Sequence, residues 1–232
     1  MNHLATLALA LAILCTVPVC AETSTQPPPA PTVPADAGTV CIQLMERQHR
    51  LIRSIAGTAD ADAATAELQV LGEIMMGLLS TPDALQLTDA QQQHLHSLMA
   101  DILACSKELS AKHFYDSRLM MTAYGSMMPG TLEPPTEAEK AACTERIRRE
   151  FESVSHILPT IIDRQSADEA AIALLSLNKL VNLAWEAELV SDELITELMK
   201  PKDATAEDRA EINRLKAADF YGSHLLLMSL GL

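Results

Sequence analysis

The sequence predicts an all-α protein: two tandem, divergent helical repeats of three to four helices each, forming a helical bundle or a short α-solenoid-like array. Three observations point there. The chain is 48% hydrophobic but only 3% aromatic, rich in Ala, Leu and Met. Those residues favour helices, and the β-branched and aromatic residues that build sheets are too few. Helix-start signatures recur along the chain, with Thr followed three residues later by Gln or Glu. Finally, Phe114-Tyr115-Asp116-Ser117-Arg118-Leu119 returns as Phe220-Tyr221-Gly222-Ser223-His224-Leu225, at an offset of 106 positions.

The N-terminal 21 residues read as a signal peptide. Leu4 to Val19 is an apolar run of the length of an h-region, and Val19-Cys20-Ala21 closes it in small-x-small fashion. Export to a periplasm or to the medium is therefore expected. Neither Cys15 nor Cys20 follows the Leu-Ala-Gly type of sequence that lipidation prefers, so a lipoprotein anchor is the weaker reading. Residues 22–38 form a Pro-rich linker, whose five prolines between Thr23 and Pro34 favour extended polyproline geometry. No segment beyond the leader has the apolar length to span a membrane.

The first repeat is expected over 39–128. Its first helix runs from Thr39 to about Ala56, with Ile42, Met45, His49, Ile52 and Ala56 on one face. A second, from about Asp62 to Leu79, buries Leu68, Leu71, Met75 and Leu78. Thr81-Pro82 suggests a short capped turn. Thr88 and Gln91 form a capping box, and no Gly or Pro follows until Gly125, so one long third helix should carry the Phe-Tyr motif. Pro129-Gly130 and Pro134-Pro135 mark the internal boundary.

The second repeat is expected over 136–232. Thr136 and Glu139 cap a helix reaching Pro159 to Asp163, and Ser166 with Glu169 caps the next, to about Glu188. Ser191 to Lys200 reads as a short helix. Thr205 opens a last helix carrying the second motif to Gly231.

The motif residues Phe114, Tyr115, Ser117, Leu119, Phe220, Tyr221, Ser223 and Leu225 are the candidate packing and interaction set. Ala100, Ala104, Ala111, Tyr115 and Leu119 match Ala206, Ala210, Ala217, Tyr221 and Leu225, spacings that make one stripe on a continuous helix. Each Tyr hydroxyl is expected to find a partner at the edge of the core.

The polar companions change between copies: Asp116 becomes Gly222, Arg118 becomes His224 and His113 becomes Asp219. No catalytic residue is assigned, since a Ser without a neighbouring base is not a nucleophile. No metal or cofactor is assigned either. Met-Met pairs and the His113, Met120, Met127 spacing suit Cu(I), but Met120-Met121 corresponds to Leu226-Leu227, which ligation does not tolerate. Glu46-x-x-His49 has a di-iron spacing, but no second Glu-x-x-His accompanies it. After export, three cysteines remain, Cys41, Cys105 and Cys143, without a Cys-x-x-Cys.

A net charge of −14 argues against a nucleic-acid partner and against docking on anionic lipid. The functional expectation is a non-enzymatic interaction module of the cell envelope or secretome with an unknown protein partner. The alternative is a carrier of a small apolar ligand in a Met- and Leu-lined cavity between helices.

Overall fold

The computed structural model describes residues 37–79, 87–124, 133–198 and 206–230. The expected signal peptide, nearly all of the linker, and the Thr81-Pro82, Pro129-Gly130 and Thr205 signals lie outside the described residues. The fold is all-α, with no strand among the described residues. In chain order the helices are α1 (Ala37–Ser54), α2 (Thr58–Leu79), α3 (Asp89–Ala111), α4 (Arg118–Tyr124), α5 (Glu137–Ser155), α6 (Arg164–Glu186), α7 (Asp192–Leu198), α8 (Ala206–Ala217) and α9 (His224–Leu230).

These residues gather into two compact units, one of Val33–Lys140 with Lys179–Leu189, the other of Ala141–Asn178 with Val190–Leu232. In the first, α1 packs on α2 and α3, and α2 on α4. Ile52, Ile55, Ala61, Ala64, Leu68, Leu109, Phe114 and Met120 form one buried cluster there. The small Ala61 and Ala64 one turn apart on α2 leave room for the Phe114 ring, whose burial contributes roughly 2–3 kcal/mol. Lys179 donates to Glu73 of α2 at 2.5 Å in the same unit. In the second unit, α8 packs on the 3₁₀ turn Leu158–Thr160, and Ile147, Ile161, Ala167, Leu215 and Leu226 are fully or almost fully buried.

The helix starts obey local chemistry. Thr88 caps α3 in a complete box: its hydroxyl accepts from the Gln91 N–H and the Gln91 side chain accepts from the Thr88 N–H. Thr136 and Glu139 do the same for α5, holding the Glu139 carboxyl below its ordinary pKa. At α6 the expectation needs correction, because the capping residue is Asp163, not Ser166. The Asp163 carboxylate accepts from the Ser166 N–H at 2.8 Å and from its hydroxyl at 2.6 Å, so Ser166 is the partner at the third helical residue rather than the cap. Likewise α5 stops at Ser155, short of Pro159, and the 3₁₀ turn follows. Of the face expected on α1, Met45 and Ile52 are buried and Ala56 is exposed, lying beyond the helix end.

The largest departure concerns the motif itself. Neither α3 nor α8 runs through it. In both places the helix stops, the backbone turns left-handed for four residues, and a separate seven-residue helix begins.

Candidate functional site

The first turn comprises His113, Phe114, Tyr115 and Asp116, with φ of 49°, 53°, 53° and 56°. The second comprises Asp219, Phe220, Tyr221 and Gly222, with φ of 47°, 49°, 53° and 69°. Left-handed backbone sets Cβ against the following carbonyl, at about 1–2 kcal/mol per non-Gly residue. Such a turn needs contacts from elsewhere in the chain to hold it.

One set of those contacts is the same at both sites. Ser117 donates from Oγ to Asp62 Oδ1 at 2.5 Å, and Ser223 donates to Asp168 Oδ1 at 2.5 Å. Each Ser hydroxyl then accepts from the backbone N–H three residues on, Met120 at 3.1 Å and Leu226 at 3.0 Å. Each Ser is thus the N-cap of its short helix, fully buried, and tied to a carboxylate on a helix 55 residues earlier.

The Tyr115 and Tyr221 amides bond to Lys112 and Ala218 carbonyls, both at 2.9 Å, and the Ser117 and Ser223 amides bond to Phe114 and Phe220 carbonyls. The match extends outward at the same 106-residue offset. Ile55 and Ile161 amides bond to Ile52 and Leu158 carbonyls at 3.3 Å, and Ala61 and Ala167 amides to Gly57 and Asp163 carbonyls at 3.0 Å. Ala56 and Ile162 donate their amides to Asp60 and Ser166 side chains.

Phe114, Phe220, Leu119 and Leu225 are all buried, and Tyr115 and Tyr221 half-buried, so the structure brings the motif residues into two like constellations. Phe114 also stacks on Tyr124, centroids 6.2 Å apart, and burial pushes the Tyr124 phenol up to about 12.

The clamps on the two tyrosines differ. Lys112 donates to the Tyr115 hydroxyl at 2.8 Å, and this bond raises the lysine's pKa; the ammonium also lies 5.1 Å over the ring. Thr58 of α2 donates to the Tyr115 carbonyl at 2.5 Å. Tyr221 instead receives Arg214, whose guanidinium donates to the phenol oxygen at 3.0 Å. The same guanidinium reaches the Ile161 carbonyl at 2.8 Å and the Leu158 carbonyl at 3.0 Å, with Glu211 holding it from the other side.

The alanine stripe does not pack within the chain. Ala100, Ala104 and Ala111, and likewise Ala206, Ala210 and Ala217, are exposed, and the left-handed turns break the helical spacing that would carry Tyr and Leu onto their face. On α3 this open face also carries Met99 and Leu103, 47% and 57% exposed and one turn apart. On α8 the position of Leu103 is taken by Arg209.

His113 lies in the left-handed turn and Met120 on the helix after it, so their seven-residue spacing makes no common face, and Met120 is buried. Glu46 does not join His49 in a ligand set: it accepts from His94 of α3 at 3.0 Å. Among the described residues no three His, Cys, Asp or Glu side chains gather as metal ligands. Cys41, Cys105 and Cys143 are not joined to one another by a disulfide, and burial pushes the Cys41 thiol up.

Sequence reasoning found the motif residues but missed Asp62, Asp168, Thr58 and Arg214, which hold them. The match of Ala61-Asp62-x-Ala64 with Ala167-Asp168-x-Ala170 carried part of that signal. Comparison with protein-family models, curated proteins and solved structures returns no match for this chain.

Proposed function

We propose that this is a non-enzymatic interaction module, exported to the cell envelope or the medium, and built from two divergent copies of one helical unit. The observation that carries the reading is the fate of the polar motif residues. Ser117 and Ser223 are sealed from solvent, and each spends its hydrogen on a carboxylate and its lone pair on a helix N-terminus. A hydroxyl so committed is not available to attack a substrate. Their chemistry is architectural, and the hydrogen bonds shared at the 106-residue offset support the two-copy origin.

Beside the scattered Met76, Ile162 and Trp185, the fold leaves outward an apolar face of α3, with Met99, Ala100, Leu103 and Ala104. Small residues beside long ones suit close approach of a second helix, so the partner chemistry is an amphipathic helix of another protein. The corresponding α8 face, bearing Arg209 and Lys216, is polar.

Native mass spectrometry of the mature protein from its own compartment tests this, beside the variant Leu103→Glu. A protein partner lost in Leu103→Glu, at unchanged helicity, is the expected result. A small-molecule mass released on denaturation would overturn it in favour of the apolar-ligand carrier. Retention of the partner by Leu103→Glu would remove the α3 face from the proposal.

A further inference from the structure

The two left-handed turns share one lock but differ in what else restrains them. At the first, every residue has a Cβ, His113 through Asp116. At the second, the fourth position is Gly222, for which φ of +69° carries no steric penalty. The second turn is also cross-braced by Arg214, which joins Tyr221 to the carbonyls of Leu158 and Ile161. The position corresponding to Arg214 in the first copy is Glu108, which cannot donate to a carbonyl or a phenol oxygen as an ionised carboxylate. Tyr115 has the exposed Lys112 instead. The first turn therefore holds one more residue with a Cβ in left-handed backbone, and its tyrosine is braced by two single bonds, from Lys112 and Thr58, where the second turn has one guanidinium joining three oxygens.

The right-handed alternative is also written into the first copy. From Thr88 to Tyr124 the sequence contains no Gly and no Pro. As one continuous right-handed helix it would place Ala100, Ala104, Ala111, Tyr115 and Leu119 within a single stripe. In the second copy Gly222 lowers the propensity of the corresponding fused helix.

We propose that residues 113–116 are a hinge with two settings. In the left-handed setting described above, Ser117 is locked to Asp62 and α4 folds back on α2. In the right-handed setting α3 and α4 join as one helix over residues 89–124. The second turn, at 219–222, is a fixed corner. This inference needs no partner and stands apart from the interaction reading.

NMR relaxation dispersion on the full isolated chain tests it. Amides of residues 112–121 should exchange with a minor state whose shifts are right-handed helical. Its population should exceed any at 218–227 by on the order of tenfold. Asp116→Gly favours the left-handed setting and should reduce the minor state. Gly222→Ala adds a Cβ that meets nothing within 4 Å, so its effect is on backbone conformation alone, and it should bring exchange to the second turn. Equal exchange at both turns, a minor state with unfolded shifts, or no minor state at 112–121 would each overturn the hinge. So would an unchanged minor population in Asp116→Gly.

Discussion

At the scale of single residues, Ser117 and Ser223 show how one hydroxyl decides a local fold. Each closes a helix N-terminus and at the same time fixes a distant carboxylate. Replacing either by Ala deletes the cap and leaves an Asp oxygen without that donor in a half-buried setting. The combined cost should be about 2 kcal/mol, read as a lower urea midpoint at unchanged slope. A cost below about 0.5 kcal/mol would show that the lock does not hold the turn. Tyr124 offers a pH signature. Its folded pKa of about 12 lies above that of an exposed phenol, so the native state holds the proton more tightly. Stability from this source is complete below about pH 10 and is lost as pH rises from there through about 12. Tyr124→Phe should remove roughly 2–3 kcal/mol of that alkaline loss, measured as the difference between the two denaturation series. Equal alkaline slopes would refute the assignment.

At the scale of elements, the helices were legible because their starts are local chemistry. Thr88 with Gln91 and Thr136 with Glu139 act within four residues, so the sequence states them outright. Thr88→Ala should therefore cost about 1 kcal/mol, with the loss seen first in the amides of α3's opening turn. Protection unchanged there would mean that packing, not the cap, sets the start. The acid limb follows from the same motifs. Thr136 and Ser166 hold Glu139 and Asp163 below their ordinary values. The caps are complete above the ordinary carboxylate range and fail as pH falls through the lowered folded values, so the starts of α5 and α6 should fray at the acid end. The left-handed turns were not legible, because nothing between Thr88 and Tyr124 breaks a helix. Asp62 and Thr58, which impose the first turn, sit more than 50 residues away in sequence. Gly222 was the one local hint, a residue suited to positive φ at the corresponding place in the second Phe-Tyr motif. The stripe argument failed for the same reason: helical spacing locates residues on a face only while the backbone stays right-handed.

At the scale of the whole molecule, charge sets the solution behaviour more than any ion pair does. The net charge of −14 puts unbalanced carboxylates near one another whenever the chain is compact, and that repulsion opposes folding. The cross-helix pairs Arg47–Glu67 and Glu73–Lys179 oppose it, but they are partly exposed and each contributes roughly 0–1 kcal/mol. Salt acts on both terms with different reach. At about 10 mM the screening length is about 30 Å, so carboxylates on different helices still repel; near physiological strength it falls to about 8 Å. Pairs in direct contact lose less, because their charges lie well inside either length. Repulsion is therefore relieved more than pairing is weakened, and the melting temperature should rise between about 10 and about 150 mM sodium chloride. A falling melting temperature would mean that contact pairs outweigh the net charge. It would also predict that Lys179→Met destabilises more at low salt than at high, a comparison the same titration would settle.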